Sequence, residues 1–309
     1  MFQYIVKRIL WLFPILLGVS FIVFTIMYLS PGDPVTMVLG EGATPEQYEA
    51  MRVQMGLDRS FIEQFFHYIK NVVIEFDLGR SYVSGRVVMD EILVRLPNTI
   101  KLSVWSVLFA SLIGIPLGVI SASRPYSKVD NFVMFLSLVG VSMPTFWQAL
   151  LLIILFTSTL GWLPASGFDT WQQMIMPVFA LASSSIGTIA RITRSSMMDV
   201  LDQDYIRTAK AKGVNGSKVT FHHALRNALI PVVTVIGLQF GALLGGAVLT
   251  ETVFSINGIG TLMVNAIRTR DTMIVQGGGL FIAFIFTMVN LCVDILYAYI
   301  DPRIKTSYD

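Results

Sequence analysis

The sequence predicts an all-α integral membrane protein with six membrane-crossing helices, and three observations carry that prediction. Of 309 residues, 54% are hydrophobic and only 14% charged, and the mean hydropathy is +0.68, more apolar surface than a soluble core of this length has to bury. The apolar residues fall in runs of about 20, enough at ~1.5 Å per residue to cross a ~30 Å hydrocarbon layer. Backbone groups in lipid must be satisfied within the segment, so runs of this length are helices.

The first span, residues 10–29, follows Lys7 and Arg8 and leads into Ser30-Pro31-Gly32-Asp33 rather than a small-x-small cleavage site, so it reads as a retained anchor, not a signal peptide. Five more are expected at residues 99–120, 132 to about 160, 174–190, 229–250 and 279–300, with bends at some of Pro14, Pro116, Pro144, Pro177 and Pro231. Gly277-Gly278-Gly279 reads as a flexible start to the last span, and Ser142-Met143-Pro144 with Phe146-Trp147 as a kink and an interface anchor. Residues 1–30 thus form an N-terminal segment and first span, 31–98 an inserted segment, and 99–309 a core whose longest inter-span loop is 191–228.

Lys and Arg set the orientation. With the N-terminus inside, the inner segments hold Lys7, Arg8, Arg124, Lys128, Arg191, Arg194, Arg207, Lys210, Lys212, Lys218, Arg226, Arg303 and Lys305, whereas the short outer loops hold only Arg268 and Arg270. The positive-inside rule then puts both termini in the cytoplasm and the inserted segment outside. That segment carries local helix signals: Thr44-Pro45-Glu46-Gln47 and Ser60-Phe61-Ile62-Glu63 are capping boxes, Gly56 ends the first helix, and Ile62, Phe65, Phe66, Ile69, Val72 and Val73 share a face of the second.

Several chemistries are excluded. A net charge of +2 gives no field for nucleic acid, and the single Cys292 excludes a disulfide framework or a multi-cysteine metal site. The chain has no phosphate-binding loop of the G-x-x-x-x-G-K-[ST] type, no nucleophile elbow, and in His222-His223 two adjacent rings that cannot share one metal face. One acid, Asp294, lies well inside a span; it reads as a helix-packing group, with a proton-coupled secondary carrier as the rival. Glu251 and Lys101 lie near span ends.

Residues 207–226 carry five cations, Arg207, Lys210, Lys212, Lys218 and Arg226, and no acid. Helix formers up to Lys212, a stop at Gly213, a turn at Asn215-Gly216 and a cap at Ser217 describe two short helices joined tightly. Ala209, Ala211 and Gly213 would give a low-profile surface for a partner, and the cations would steer an acidic one; a solvated basic loop touching acidic lipid is the bland alternative. Ser183, Ser184, Ser185 and Gly187 in the fourth span, with Gly241 and Gly245 in the fifth, are candidates for a polar pathway or for close helix packing.

Gly213, with Ala209 four residues before it and Leu225 twelve after, resembles the loop called EAA in permease subunits of ATP-binding-cassette importers; Arg207, Thr208 and Arg226 depart from that pattern as they do together in one branch. Along its whole length the chain resembles that branch, the first (B-type) permease of dipeptide, oligopeptide and nickel importers, in YIVKRIL from Tyr4, PGDPV from Pro31, DLGRS from Asp77, RLPNT from Arg95, SMPTFW from Ser142, HHALRNALIPVVT from His222, TETVFSINGIG from Thr250 and DILYAYIDPRIK from Asp294. The resemblance implies a type I importer permease fold with a MetI-like core, in a prokaryotic cytoplasmic membrane. It implies a homologous second permease, two cytoplasmic ATPases holding ATP and Mg, and an extracytoplasmic solute-binding protein as partners. It implies no cofactor and no catalytic centre on this chain, and a coupling helix formed by Tyr205, Arg207, Thr208, Ala209, Lys210, Ala211, Lys212 and Gly213, with Leu225. Peptide is the cargo expected, with nickel or another small solute as the alternative.

Overall fold

The computed structural model describes residues 2–30, 32–40 and 42–300; Pro31, Arg303 and Lys305, which figure in the sequence reading, lie outside them. The helices are α1 (Phe2–Leu29), α2 (Pro34–Leu39), α3 (Pro45–Gln54), α4 (Phe61–Lys70), α5 (Val88–Ser123), α6 (Lys128–Ser142), α7 (Thr145–Leu152), α8 (Trp171–Leu201), α9 (Asp204–Ala211), α10 (Gly216–Lys218), α11 (Leu225–Val253), α12 (Ile259–Arg268) and α13 (Thr272–Ile300), with π-helical turns following α4, α7 and α10. Five stretches among the described residues are long and apolar enough to cross a membrane, and the pair Lys128–Ser142 and Thr145–Thr159, bent by 102°, makes six where it is counted as one broken span. The described residues divide into two compact units, one of residues 98–256 and 288–300, the other drawn from residues 2–97 and 257–287.

In the first unit α8 is the central helix, 56% of its span window being buried, and it achieves this with small residues. A Cβ on Gly187 would collide with the Ser137 carbonyl of α6, one on Gly140 would stand 2.9 Å from the Ser183 carbonyl, and Gly114 and Gly118 of α5 meet the carbonyls of Ile186 at 3.0 Å and Ala190 at 2.6 Å. Gly114-Ile115-Pro116-Leu117-Gly118 is a G-x-x-x-G stripe, which lets two backbones approach where lipid offers no hydrophobic drive to associate. Larger side chains fill the layer around Leu102, Met176, Leu181, Leu243 and Phe254.

The third expected span bends where Ser142-Met143-Pro144 placed a kink, sharply enough to divide it into two helices. Met143 precedes Pro144 and takes an extended conformation, φ −82° and ψ 128°, as the proline ring demands of its predecessor. The carbonyls freed by the break are answered by one buried side chain: the Gln148 amide nitrogen, Nε2, donates to Met143 O at 3.0 Å and Gly140 O at 3.3 Å. Elsewhere the helices run on through Pro14, Pro177 and Pro231. The fourth span is also longer than residues 174–190, since α8 continues past two arginines to Leu201.

In the second unit both capping boxes form as the sequence predicts, Thr44 with Gln47 and Ser60 with Glu63. The apolar face of α4 is narrower than expected. Phe61, Phe65, Ile69 and Val72 pack with buried Tyr68 on a core containing Phe24, Ile92 and Leu262, while Ile62, Phe66 and Val73 are exposed. Phe65 and Phe66 are about 100° apart on a helix, so one core cannot take both. The glycine triplet is likewise corrected: Gly277 and Gly278 lie inside α13, where a Cβ on Gly277 would come within 2.8 Å of Val88 and one on Gly278 would strike Met263. These glycines permit close packing rather than a flexible start.

Candidate functional site

The residues between α8 and α11 build a ledge anchored at one point. Ile206 is the buried residue of α9, fully enclosed in a cluster with Val119, Ala122, Met197, Val219, Ala224 and Ala228. Ala209 and Leu225 pack against the same cluster. Here the structure departs from the sequence reading, since Ala209 lies three residues from Ile206 and shares its inner face instead of lying on the approachable surface. Tyr205, Arg207, Thr208, Lys210, Ala211 and Lys212 are exposed.

Local chemistry fixes the ledge. Thr208 Oγ1 donates to Asp204 O at 2.9 Å, and Asn227 Nδ2 donates to the Tyr205 hydroxyl at 2.8 Å, tying α9 to α11. Gly213 ends the helix in the left-handed region at φ +75°, where a Cβ would meet nothing within 4 Å, so the glycine is required by the backbone and not by space. Its N–H bonds Lys210 O at 3.0 Å, and Val214 N–H bonds Ala209 O at 3.2 Å. The cap of the next turn is Asn215, whose side chain accepts from Ser217 N at 2.9 Å; Ser217, the expected cap, is instead the residue capped. The i,i+3 pair Arg207–Asp204, 3.6 Å apart with side chains 70% and 98% exposed, lies in water and adds little. Acid at the start of α9 and base at its end follow the helix dipole, leaving Lys210 and Lys212 at the tip.

The pathway candidates are not gathered into one lining. Ser183 donates to Ala180 O at 2.9 Å, Ser185 accepts from Gln239 Nε2 at 3.0 Å, and both are buried. With Gly187 pressed on α6 and Gly241 buried, only Ser184, half-buried, and Gly245, exposed with open space around it, retain free surface. Asp294 is half-buried on α13. Among the described residues no group of three His, Cys, Asp or Glu gathers that could hold a metal ion.

Two polar links escaped the sequence reading. Arg194, counted there among the inner cations that set the orientation, forms a bidentate pair with buried Asp130 of α6, Nε to Oδ1 at 2.6 Å and NH2 to Oδ2 at 2.7 Å. The carboxylate also accepts from the Ser121 hydroxyl and, at 2.7 Å, from Tyr126 N. Glu251, fully buried, accepts from Thr99 Oγ1 at 2.6 Å. An acid three residues into α6 was the available signal for the first, and the run Thr250-Glu251-Thr252 at a span end for the second.

Residues 114–306 match the family described as binding-protein-dependent transport system inner membrane component, and residues 1–103 its companion N-terminal family. The dipeptide transport system permease protein DppB of Alkalihalophilus pseudofirmus is 43% identical over 99% of this chain and 100% of its own length. The glutathione transport system permease protein GsiC of Escherichia coli K12 is 43% identical over 99% of both, and a putative peptide transport system permease protein of Brucella abortus 43% over 97% of this chain and 98% of its own. Among solved structures, the inward-facing MetNI methionine ABC transporter has a chain 16% identical that aligns with 69% of this one and 97% of itself at a TM-score of 0.56, a likeness of fold. With the bundle, the inserted segment and both family matches covering nearly all of its length, the chain belongs to the binding-protein-dependent transport system inner membrane components, the permease subunits of ABC transporters.

Proposed function

We propose that this chain is the peptide-specific permease of an ATP-driven importer, that it forms half of the translocation pathway with a homologous second permease, and that α9 is its coupling helix. The observation that supports this reading is the division of α9 into an inner face, Ile206 and Ala209, locked into the bundle, and an outer face, Tyr205, Arg207, Lys210 and Lys212, left open to a partner. A helix held this way moves as one body with α5, α8 and α11, so a push on its outer face is delivered to the spans. Family membership gives the chain ATPase and solute-binding partners, and the relatives named for dipeptide, peptide and glutathione transport favour peptide cargo. The distribution of Lys and Arg supports an orientation with α9 and both termini in the cytoplasm and residues 31–98 outside.

Linkage requires that cargo-loaded binding protein raise ATP hydrolysis, because coupling free energy is reciprocal. The test is ATPase activity of the reconstituted complex with and without loaded binding protein, for the parent and for the variant carrying Arg207→Glu and Lys210→Glu. Stimulation lost in the variant, with assembly of the two permeases intact, is expected; stimulation of parent size in the variant refutes α9 as the coupling element. Gradient-driven peptide uptake by liposomes holding this chain alone would favour the carrier reading of Asp294 instead.

A further inference from the structure

A cavity of about 230 Å³ opens at the end of α1, bordered by α1, Gly32 and Asp33, α3, α4 and the start of α13; its walls include Phe24, Leu57, Arg52, Arg270 and Gln276. Gln276 is 5% exposed, and among the described residues its side-chain amide has no hydrogen-bond partner. Its amide borders the cavity and is not sealed inside the protein, so a group in the cavity can reach it.

The backbone of Arg270 is fixed by its neighbours, while its side chain is exposed. It has φ +53°, unusual for a long side chain, and its N–H bonds Ile267 O at 3.2 Å. The next residue, buried Asp271, locks this turn, accepting from the Ser81 hydroxyl and from Tyr82 N at 3.2 Å while its own N–H bonds Ala266 O at 2.8 Å. The guanidinium lies over Gly32, where any Cβ would collide with it, and it has no ion pair or hydrogen bond among the described residues. Arg52 has only a half-exposed neighbour, Glu49, at 3.5 Å. Asp33 is not a spare acceptor: Val35 N at 3.1 Å, Thr36 N at 3.2 Å, Thr36 Oγ1 at 2.5 Å and the Tyr48 hydroxyl already occupy its oxygens.

The uncommitted groups are two guanidiniums, one without a partner among the described residues and one weakly engaged, and an amide that can donate through Nε2. We propose that this cavity binds the carboxylate of a small organic acid, about the size of a single amino acid, with Arg270 and Arg52 on the charge, Gln276 on a second oxygen and Phe24 and Leu57 against the hydrocarbon part. A guanidinium fork matches a carboxylate in two bonds, the volume is below that of a drug-sized site, and the fixed charge of Asp33 in the same wall disfavours a dianion such as phosphate. In the orientation proposed above the cavity faces outward, and that reading supplies only its access, not its chemistry.

The test uses the purified full-length chain in detergent, titrated calorimetrically with N-acetylleucine and with N-acetylleucinamide, two molecules of nearly one shape that differ in charge. The acid is expected to bind saturably and the amide at least tenfold more weakly. Arg270→Ala and Gln276→Leu should each weaken the acid at least tenfold, and Arg270→Lys less. Equal binding of acid and amide, or parent-like binding in both Arg270→Ala and Gln276→Leu, overturns the proposal. Absence of binding by the acid overturns it too, and if Arg270→Ala then also weakens docking of the solute-binding protein, the carboxylate received there is a protein side chain. Because the chain is measured alone, failure here leaves the transport reading untouched, and failure of transport leaves this result standing.

Discussion

The ion pair Asp130–Arg194 joins α6 to α8 beside the platform on which α9 rests, and a double-mutant cycle measures what it contributes. Replacing Arg194 with Gln removes both bonds, 2.6 and 2.7 Å, and leaves the Asp130 carboxylate, 2% exposed, with two donors, the Ser121 hydroxyl and Tyr126 N–H. Stranding one partner of a buried pair costs about 3–5 kcal/mol, and the 21% exposure of Arg194 places this case near ~3 kcal/mol. Replacing Asp130 with Asn strands Arg194 with a similar cost. The double variant leaves no charge stranded, so it should lose about as much as either single variant, which gives a coupling energy of about 3 kcal/mol, a shift of roughly a hundredfold in the folded-to-unfolded ratio. Equilibrium unfolding of the purified chain in mixed micelles reads all four corners. Single effects that add to within about 0.5 kcal/mol would refute the pair as a unit.

Three further outcomes follow from the same reasoning. Ile206→Ala should lower stability by about 2–4 kcal/mol in the same unfolding assay, whereas Gly213→Asn should be nearly neutral and Gly213→Val should cost about 1–2 kcal/mol, because the demand at Gly213 is a left-handed backbone and not space. Gly187→Val should prevent α8 from seating on α6, visible as loss of a monodisperse peak in gel filtration, while Gly245→Val, in open space, should leave the peak intact. In the second unit, burial pushes the Asp33 carboxyl up, but hydrogen bonds from Thr36, Tyr48 and the N–H groups of Val35 and Thr36 outweigh it and hold it below its ordinary value of 3.8. With the folded value depressed, this stabilisation is complete above that pH and disappears as pH falls through the folded value. Thermal unfolding should therefore drop below about pH 4 in the parent more steeply than in Asp33→Asn.

What could be read from the sequence was local. Both capping boxes, the stop at Gly213 and the break at Pro144 depend on residues within one turn of each other, and each appears where the pattern placed it. The polar links join residues far apart in the chain, 64 for Asp130 with Arg194, 152 for Thr99 with Glu251 and 190 for Ser81 with Asp271, and no periodicity reports such pairs. Faces were read less well than helices. An apolar stripe predicts amphipathicity without saying how wide the receiving surface is, so Ile62, Phe66 and Val73 were grouped with residues that alone are packed. Ala209 and the serines of α8 show the converse: small residues on a membrane helix mark close approach of another helix as readily as a surface for a partner, and Gly140, Gly187 and Ser185 are used for the former.

As a permease subunit of this family the chain has no ATP-hydrolysing site of its own, and ATP and Mg belong to its partner subunits. Whatever power it receives must enter through a surface, and the entrance proposed is the outer face of α9. The direct measurement is a photo-crosslinker installed at Lys210 in intact cells. Capture of the ATPase subunit, with a yield that changes when loaded binding protein is present, is the result predicted; efficient expression and membrane insertion with no ATPase captured would contradict it.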